Sequence, residues 1–465
     1  MKILFVSLGC DKNRVDSEVM LGMLSSRGHE FTDDEEIAEA AVVNTCCFIG
    51  DAKEESINTI IDLAKYRTSG QYKALIVTGC LAERYRDEVL KEIPEVDRII
   101  GTASIEHIIE ALDSVLEENA DSEKSLSEKE YLDSLDKKPV GNRKRIQTTG
   151  GQFNYLKIAE GCNKNCTYCV IPKVRGRYRS VPMDELVAEA KTLADKGVSE
   201  LILVAQETTL YGVDLYGEKK LPELLKELCK VEGINWIRLM YCYPEEITDE
   251  MIETIANEPK ICNYLDIPIQ SGSDHVLRMM GRKTNRAEIT ERIKYIRERI
   301  PDICLRTTLI AGFPGELEED HRETLEFVKE MRFDRLGCFT YSQEEDTVAG
   351  EMPEQIDEDI KEQRRDEIME LQQEIVFEAA RNRVGQTVSV VIEGRITDDD
   401  EDEYGYTYVG RTFMDAPDVD GYIFIMNVPF DLMSGQFVEV KITGSNDYDL
   451  VGELIVEGDQ DEFTE

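Results

Sequence analysis

The chain has 465 residues, 41% of them apolar, which suits two or three globular domains and is too long for one small core. No run of 18 apolar residues occurs, and the opening Met1-Lys2-Ile3-Leu4-Phe5-Val6 is too short for a signal peptide. A membrane span and a secreted protein are therefore disfavoured and a cytoplasmic location is expected. Against 54 Lys and Arg stand 96 Asp and Glu, a formal net charge of −42. Such a surface repels nucleic acid unless a local basic patch intervenes and attracts a basic protein, unless it simply reflects a generally acidic proteome.

In chain order, residues 2–8, 41–44 and 74–78 read as buried parallel strands, with helices expected over 17–26 and 51–65 between them. This doubly wound α/β pattern is expected to occupy residues 1–113. Residues 114–147, with Glu117, Glu118, Asp121, Glu123 and Lys124, are charged and read as a linker. A second domain, 148–384, offers strands at 153–159, 201–206, 236–240, 264–269, 305–312 and 335–342. Helical patterns separate them; in one, Leu186, Val187, Ala190, Leu193 and Ala194 share a face and Gly197 supplies the C-cap. Six such units suggest an incomplete (β/α)6 barrel, whose active residues belong at the C-terminal ends of its strands. A long helix is expected over 358–383. Residues 385–465 alternate as an all-β module (Val388, Val390, Ile392; Val438, Val440, Ile442), consistent with a small β-barrel. From Gln386 onward there are 3 Lys and Arg against 20 Asp and Glu, giving 3 − 20 = −17.

The 12 cysteines of a reducing compartment are not expected to form disulfides. Cys47, Cys229, Cys242, Cys262, Cys304 and Cys338 are scattered, mostly in apolar segments, and read as small core residues. The others are organised. In Gly161-Cys162-Asn163-Lys164-Asn165-Cys166-Thr167-Tyr168-Cys169, three thiols fall on one loop after an expected strand. Thiolates select zinc or iron–sulfur clusters. Structural zinc needs a fourth ligand, here available only from afar. Three thiols suit a four-iron cluster with one iron open to a chelating ligand. Cys10, Cys46 and Cys80 each follow the C-terminal end of an expected strand, and those ends share one edge of a parallel sheet. A second trio is therefore expected, with Cys47 competing with Cys46 because neighbours on a strand point opposite ways.

The CxxxCxxC loop at this position resembles the radical S-adenosylmethionine superfamily. The resemblance implies that Cys162, Cys166 and Cys169 hold a 4Fe-4S cluster whose open iron takes the amino and carboxylate groups of S-adenosylmethionine. It implies that Tyr168 lies by the adenine, where plain packing over the cluster is the alternative. Gln206, Glu207 and Thr208 match the position that binds the cofactor's amino group, or else cap a strand end. Arg306, Thr307 and Thr308 with Gly312 and Gly315 either shape the pocket or form a simple turn. Arg175, Arg177 and Arg179 either grip a target carboxylate or are solvated.

The two cysteine sets in this order, with a terminal barrel, resemble the methylthiotransferase family along essentially the whole chain; the tail is similar to its TRAM domain. One branch of that family modifies adenosine in transfer RNA and the other an aspartate of small-subunit ribosomal protein S-12. Ser7-Leu8-Gly9-Cys10-Asp11-Lys12-Asn13-Arg14-Val15-Asp16-Ser17-Glu18, Ala52-Lys53-Glu54-Glu55-Ser56, Val204-Ala205-Gln206-Glu207-Thr208-Thr209, Tyr264-Leu265-Asp266-Ile267-Pro268 and Gly410-Arg411-Thr412 with Asp415-Ala416-Pro417 resemble the ribosomal branch. Gln270-Ser271-Gly272-Ser273-Asp274 is more similar to the transfer-RNA branch. The ribosomal resemblance implies two 4Fe-4S clusters, the second on Cys10, Cys46 and Cys80, together with S-adenosylmethionine and a flavodoxin-type electron donor. It implies methylthio transfer to the β-carbon of the aspartate. The acidic tail speaks against RNA and for a basic ribosomal protein as partner. An iron–sulfur electron carrier or sensor, and an RNA-binding scaffold, are the readings without catalysis.

Overall fold

Strands buried on both faces must read as continuous apolar runs, and the first sheet shows this at Ala40–Thr45 and Leu75–Gly79. The structure, a computed structural model, describes residues 1–117, 126–396 and 406–456. The charged positions Glu118, Asp121, Glu123 and Lys124 lie outside the described residues, and nine of the 20 tail carboxylates lie within them.

The first unit consists of β1 (Lys2–Ser7), α1 (Asp11–Ser26), β2 (Glu30–Thr32), β3 (Ala40–Thr45), α2 (Gly50–Thr68), β4 (Leu75–Gly79), α3 (Cys80–Arg84), α4 (Arg86–Glu92), β5 (Arg98–Ile100), α5 (Ile108–Leu116) and β6 (Glu130–Tyr131). Its sheet is parallel, in the order β2-β1-β3-β4-β5-β6. Two expectations change here. Helix α1 starts at Asp11, six residues before its expected start, with extended Cys10 as N-cap. Lys12, Asn13, Asp16, Ser17 and Glu18 are buried in its first two turns, where polar groups interrupt the apolar period; its later turns bury Val19, Met20 and Leu24 in the ordinary way. The segment expected as a linker supplies β6, which extends the sheet. It also supplies Arg145, a buried residue that donates to Asn154 Oδ1 and the Tyr155 carbonyl, both at 2.7 Å.

The second unit runs β7 (Phe153–Lys157), β8 (Ala159–Glu160), α6 (Ile171–Arg175), β9 (Arg179–Ser180), α7 (Met183–Ala194), β10 (Glu200–Val204), α8 (Val213–Tyr216), α9 (Leu221–Cys229), β11 (Trp236–Leu239), α10 (Asp249–Asn257), β12 (Ile261–Asp266), α11 (Asp274–Met279), α12 (Arg286–Arg299), β13 (Cys304–Ala311), α13 (Glu318–Met331) and β14 (Arg335–Thr340). Its six-stranded parallel sheet has the order β7-β10-β11-β12-β13-β14, the incomplete barrel expected from sequence. Residues 158–159 leave the first barrel strand and β8 pairs with β9 instead. The trailing helix α14 (Glu358–Asn382) buries Ile368 and Ile375 in the same core.

The last unit is a closed barrel, β15 (Thr387–Ile396), β16 (Tyr406–Thr412), β17 (Ile423–Val428), β18 (Phe437–Asn446) and β19 (Asp449–Leu454), ordered β15-β16-β17-β19-β18. It shares one apolar cluster with the second unit, in which Trp236 meets Phe437 edge-on at 4.8 Å. At its centre Glu200, fully buried, accepts from Arg238 Nε at 2.8 Å and pairs with Arg411 Nη2 at 2.8 Å. Burial pushes the Glu200 carboxyl up, but the two guanidiniums hold it below the usual range. Among the described residues no helix is long and apolar enough to cross a membrane.

Breaking a buried pair strands a charge, so Arg411→Ala is expected to destabilise the protein by about 3–5 kcal/mol in urea unfolding. An equally sized Lys441→Ala control on the exposed barrel face is expected to stay within about 0.5 kcal/mol.

Candidate functional site

The C-terminal edges of the two parallel sheets meet. Gly50 N donates to Ser342 Oγ at 3.2 Å, and the Tyr241 hydroxyl donates to Asp11 Oδ1 at 3.3 Å. Lys12 lies over the Tyr241 ring at 3.3 Å from its centroid. Both cysteine trios sit along this seam.

Cys10 follows β1 and is exposed; Cys46 follows β3 and Cys80 follows β4, both buried. Asn13 staples their loops, its Nδ2 donating to the carbonyls of Leu8 at 3.0 Å and Thr45 at 2.9 Å, while its Oδ1 lies 3.9 Å from Cys80 Sγ. Gly9 has φ +87°, and a Cβ there would lie 3.0 Å from Cys46 Sγ, so the turn brings the Cys10 and Cys46 loops into contact only as glycine. Burial, and after it the neighbouring Cys10, raises the Cys46 thiol; Phe48 N–H and Arg175 oppose the rise. Burial also pushes Cys80 up to about 12 against the cation of Arg175. Cys47, fully buried, turns into the apolar core beside Arg84, where burial pushes it up to about 11. Thiols raised in this way stay protonated until a metal's own charge displaces the proton.

Cys162, Cys166 and Cys169 lie on the loop between β8 and α6. The loop is tied by Cys162 N to the Gly176 carbonyl (3.1 Å), Thr167 N to Met280 O (3.0 Å) and Ala349 N to Thr167 O (2.9 Å). Gly161, at φ +78°, passes so close to the Gly176 and Arg177 carbonyls that no Cβ fits. Lys164 N donates to Cys162 Sγ at 3.4 Å. Burial pushes Cys162 up to about 11 and Cys169 up to about 12. Cys166 Sγ lies 3.9 Å from the Tyr243 hydroxyl. Among the described residues no three His, Cys, Asp or Glu close around one point as a single-ion site.

Gln206, Glu207 and Thr208 stand just past β10, on the same edge. Gln206 Nε2 donates to Glu160 Oε1 at 3.0 Å, and its own Oε1 is buried without a partner. Glu207 is fully buried; Thr209 donates to its Oε1, and Oε2 has no partner. Burial pushes the Glu207 carboxyl up to about 7, with Thr209 and Lys164 opposing. Thr208 is spent on the Met240 carbonyl at 2.5 Å, so it locks the strand end. Tyr168 packs edge-on to Phe313 at 6.4 Å.

Several expectations are revised. Arg175 grips no free carboxylate: it is 2% exposed and pairs inside the protein with Asp16 at 2.7 Å and Glu160 at 3.3 Å. Arg179 is buried and donates to the Arg175 carbonyl at 2.9 Å; Arg177 is exposed. Arg306 belongs to the seam with the terminal barrel, bonded to Asp266 at 2.7 Å and facing Asp420 at 3.5 Å. Gly312 N and Phe313 N donate to Glu316 Oε2, and Glu316 pairs with Arg364 of α14 at 3.1 Å, so this turn is anchored from behind. Arg282 escaped the sequence reading. Its guanidinium lies 4.2 Å from the Tyr243 ring centroid, with Nε and Nη1 buried and unpartnered beside the Cys166 loop. Nothing local marks it, because its partners come from three different strand ends.

Comparison with known proteins gives three family models in tandem: the uncharacterized protein family UPF0004 over residues 2–101, the radical SAM superfamily over 156–328, and the TRAM domain over 384–455. The chain is 57% identical to the ribosomal protein uS12 methylthiotransferase RimO of Lachnoclostridium phytofermentans, covering 97% of this chain and 99% of that one. It is 46% identical to RimO of Clostridioides difficile and 48% identical to RimO of Acetivibrio thermocellus, each over 98% of this chain and 99% of the relative. Among solved structures, the radical S-adenosylmethionine methyltransferase TsrM of Kitasatospora setae, with cobalamin and a 4Fe-4S cluster bound, aligns at a TM-score of 0.56 and 14% identity. The alignment covers 75% of this chain and 77% of that one, a likeness of fold.

Because Cys46 faces Cys10 while Cys47 faces the core, Cys46→Ala is expected to lose about half of the reconstituted iron and Cys47→Ala to keep it, by iron and acid-labile sulfide assay.

Proposed function

This chain belongs to the family of the ribosomal protein uS12 methylthiotransferases RimO, and from that premise we propose that it attaches a methylthio group to the β-carbon of an aspartate in uS12. The observation that carries the reading is the meeting of two thiol trios, one from each of the first two units, along one seam in which four of the six thiols are buried. The donor sets fit iron–sulfur clusters: free thiols only, with backbone N–H groups turned toward sulfur at Cys162 and Cys46. Cys162, Cys166 and Cys169 would hold one 4Fe-4S cluster, and Cys10, Cys46 and Cys80 a second. When bound there, the clusters and S-adenosylmethionine supply radical hydrogen abstraction and a methylthio group to transfer.

The protein's own groups then divide the work. Gln206 Oε1 and Glu207 Oε2, both buried acceptors without partners, suit the cofactor's ammonium. Arg282, with two free buried nitrogens, suits its carboxylate. Tyr168 and Phe313 offer aromatic edges for the adenine. A flavodoxin-type donor would deliver the electron. The terminal barrel supports a protein substrate over RNA. Of its three basic residues, Arg411 is buried against Glu200 and Glu393, and Arg395 pairs with Asp431 at 3.3 Å. Little positive charge is left to meet phosphate.

The direct test is mass spectrometry of uS12 in small ribosomal subunits after incubation with anaerobically reconstituted enzyme, S-adenosylmethionine and a reductant. A gain of one methylthio group on an aspartate is expected. An unmodified uS12 alongside continued 5′-deoxyadenosine formation would sink the substrate assignment and favour transfer RNA. Glu207 gives a second test. Its pKa is raised in the fold, so it binds its proton more tightly folded than unfolded. Its contribution to stability is full below the unfolded value and is lost as pH rises toward about 7. The cofactor's ammonium needs the carboxylate form. Stability of the free enzyme is therefore expected to fall, and S-adenosylmethionine binding to strengthen, across this window. Glu207→Gln flattens both profiles, read by thermal melts and equilibrium dialysis.

A further inference from the structure

Arg175, the last residue of α6, touches both halves of the seam. It is 2% exposed, and every arm of its guanidinium is engaged. Nε donates to Cys80 Sγ at 3.4 Å. Nη1 donates to Asp16 Oδ2 at 2.7 Å and to Glu160 Oε2 at 3.3 Å, and Nη2 donates to Asn13 Oδ1. The other oxygen of Glu160 accepts from Gln206 Nε2 at 3.0 Å. An unbroken run of side chains, Cys80–Arg175–Glu160–Gln206, therefore joins one thiol trio to the pocket beside the other.

The charges along this run are matched. Lys157 Nζ pairs with both Asp16 and Glu160, so two cations face two carboxylates. Burial pushes the Glu160 carboxyl up, yet Lys157 and Arg175 hold it well below the usual range. When Cys80 ligates metal as a thiolate, the balance tips by one negative charge, and Arg175 is the cation bonded to that sulfur. Only a planar, permanently charged fork reaches Cys80, Asn13, Asp16 and Glu160 at once; a lysine is a point charge on a flexible stem.

We propose that Arg175 is a positioning residue that couples the two sites: one guanidinium sets the reduction potential of the cluster on Cys10, Cys46 and Cys80 and, through Glu160, the orientation of Gln206 toward S-adenosylmethionine. The inference rests on the two-cluster reading given under Proposed function. A cation against a ligating sulfur favours the reduced, more negative cluster, so its loss lowers the potential. Without Arg175, Glu160 is held by Lys157 alone, so the anchor of Gln206 loosens and cofactor binding weakens.

The test uses the reconstituted full chain with Arg175→Met and Arg175→Lys, after iron and sulfide counts on each. Arg175→Met is expected to move the midpoint of the auxiliary cluster to more negative potential in an EPR-monitored titration, leaving the cluster on Cys162, Cys166 and Cys169 where it was. It is also expected to weaken S-adenosylmethionine binding to the unreduced enzyme by roughly 3–10-fold in equilibrium dialysis. Arg175→Lys keeps the charge and loses the fork, so its potential stays near wild type while its binding weakens. If Arg175→Met does not hold both clusters, the binding constant of Arg175→Lys decides: weakened supports the coupling, unchanged overturns it. Two clusters with both midpoint and binding unchanged in Arg175→Met overturns the coupling alone. A wild-type chain that holds a single cluster overturns the two-cluster reading, and the coupling with it.

Discussion

A helix with a buried charged face joins the first sheet to the second, and the site depends on it. Asp11, Lys12, Asn13, Asp16 and Glu18 of α1 are all withdrawn from water. Each meets a group from beyond its own unit: Tyr241 for Asp11 and Lys12, Arg175 for Asn13 and Asp16, Asn154 and Arg145 for Glu18. Desolvation offsets most of the attraction in such a network, so its net stabilisation is small. Its consequence is geometric. A slip of one residue between the units would strand several charges at once, each costing several kcal/mol. The two thiol trios are thereby held in one register.

Three of the four loops that carry the thiols share a local device, the exception being that of Cys46, which follows Thr45. Gly9, Gly79 and Gly161 each precede a cysteine and each adopt positive φ, so the chain turns sharply at the end of a strand and presents the thiol on the sheet edge. Parallel sheets place all such ends on one side, which is why residues as distant as Cys10 and Cys80 approach one another. The second unit repeats the logic with three thiols on one loop, anchored by backbone bonds to Gly176, Met280 and Ala349 rather than by separate strands.

The terminal barrel is attached by different physics. An apolar patch around Trp236 and Phe437 supplies the area, and the fully buried Glu200 with Arg238 and Arg411 supplies the alignment. This arrangement consumes one of the few cations of a strongly acidic module, so docking to the second unit and the loss of positive charge on the barrel's outer surface are one event.

Local pattern in the sequence determined the three central strands β1, β3 and β4 of the first sheet, all six of the second, the small terminal barrel and the six grouped cysteines; the short strands β2 and β5 carry too few residues to show a pattern. Apolar runs, period-two alternation and CxxxCxxC spacing are properties of a few consecutive residues. The family resemblance pointed to Cys46, and the tertiary structure turns Cys47 into the apolar core; it also decided that α1 begins at Asp11 with polar groups buried in its first two turns. It decided that Glu130–Tyr131 extends the first sheet instead of lying in a linker. It assigned Arg175 to the interior and left Gln206, Glu207 and Arg282 with buried unpaired atoms beside the thiols. Each of these outcomes depends on a polar group finding, or lacking, a partner many residues away, and a hydrogen bond between distant residues leaves no periodicity in the chain.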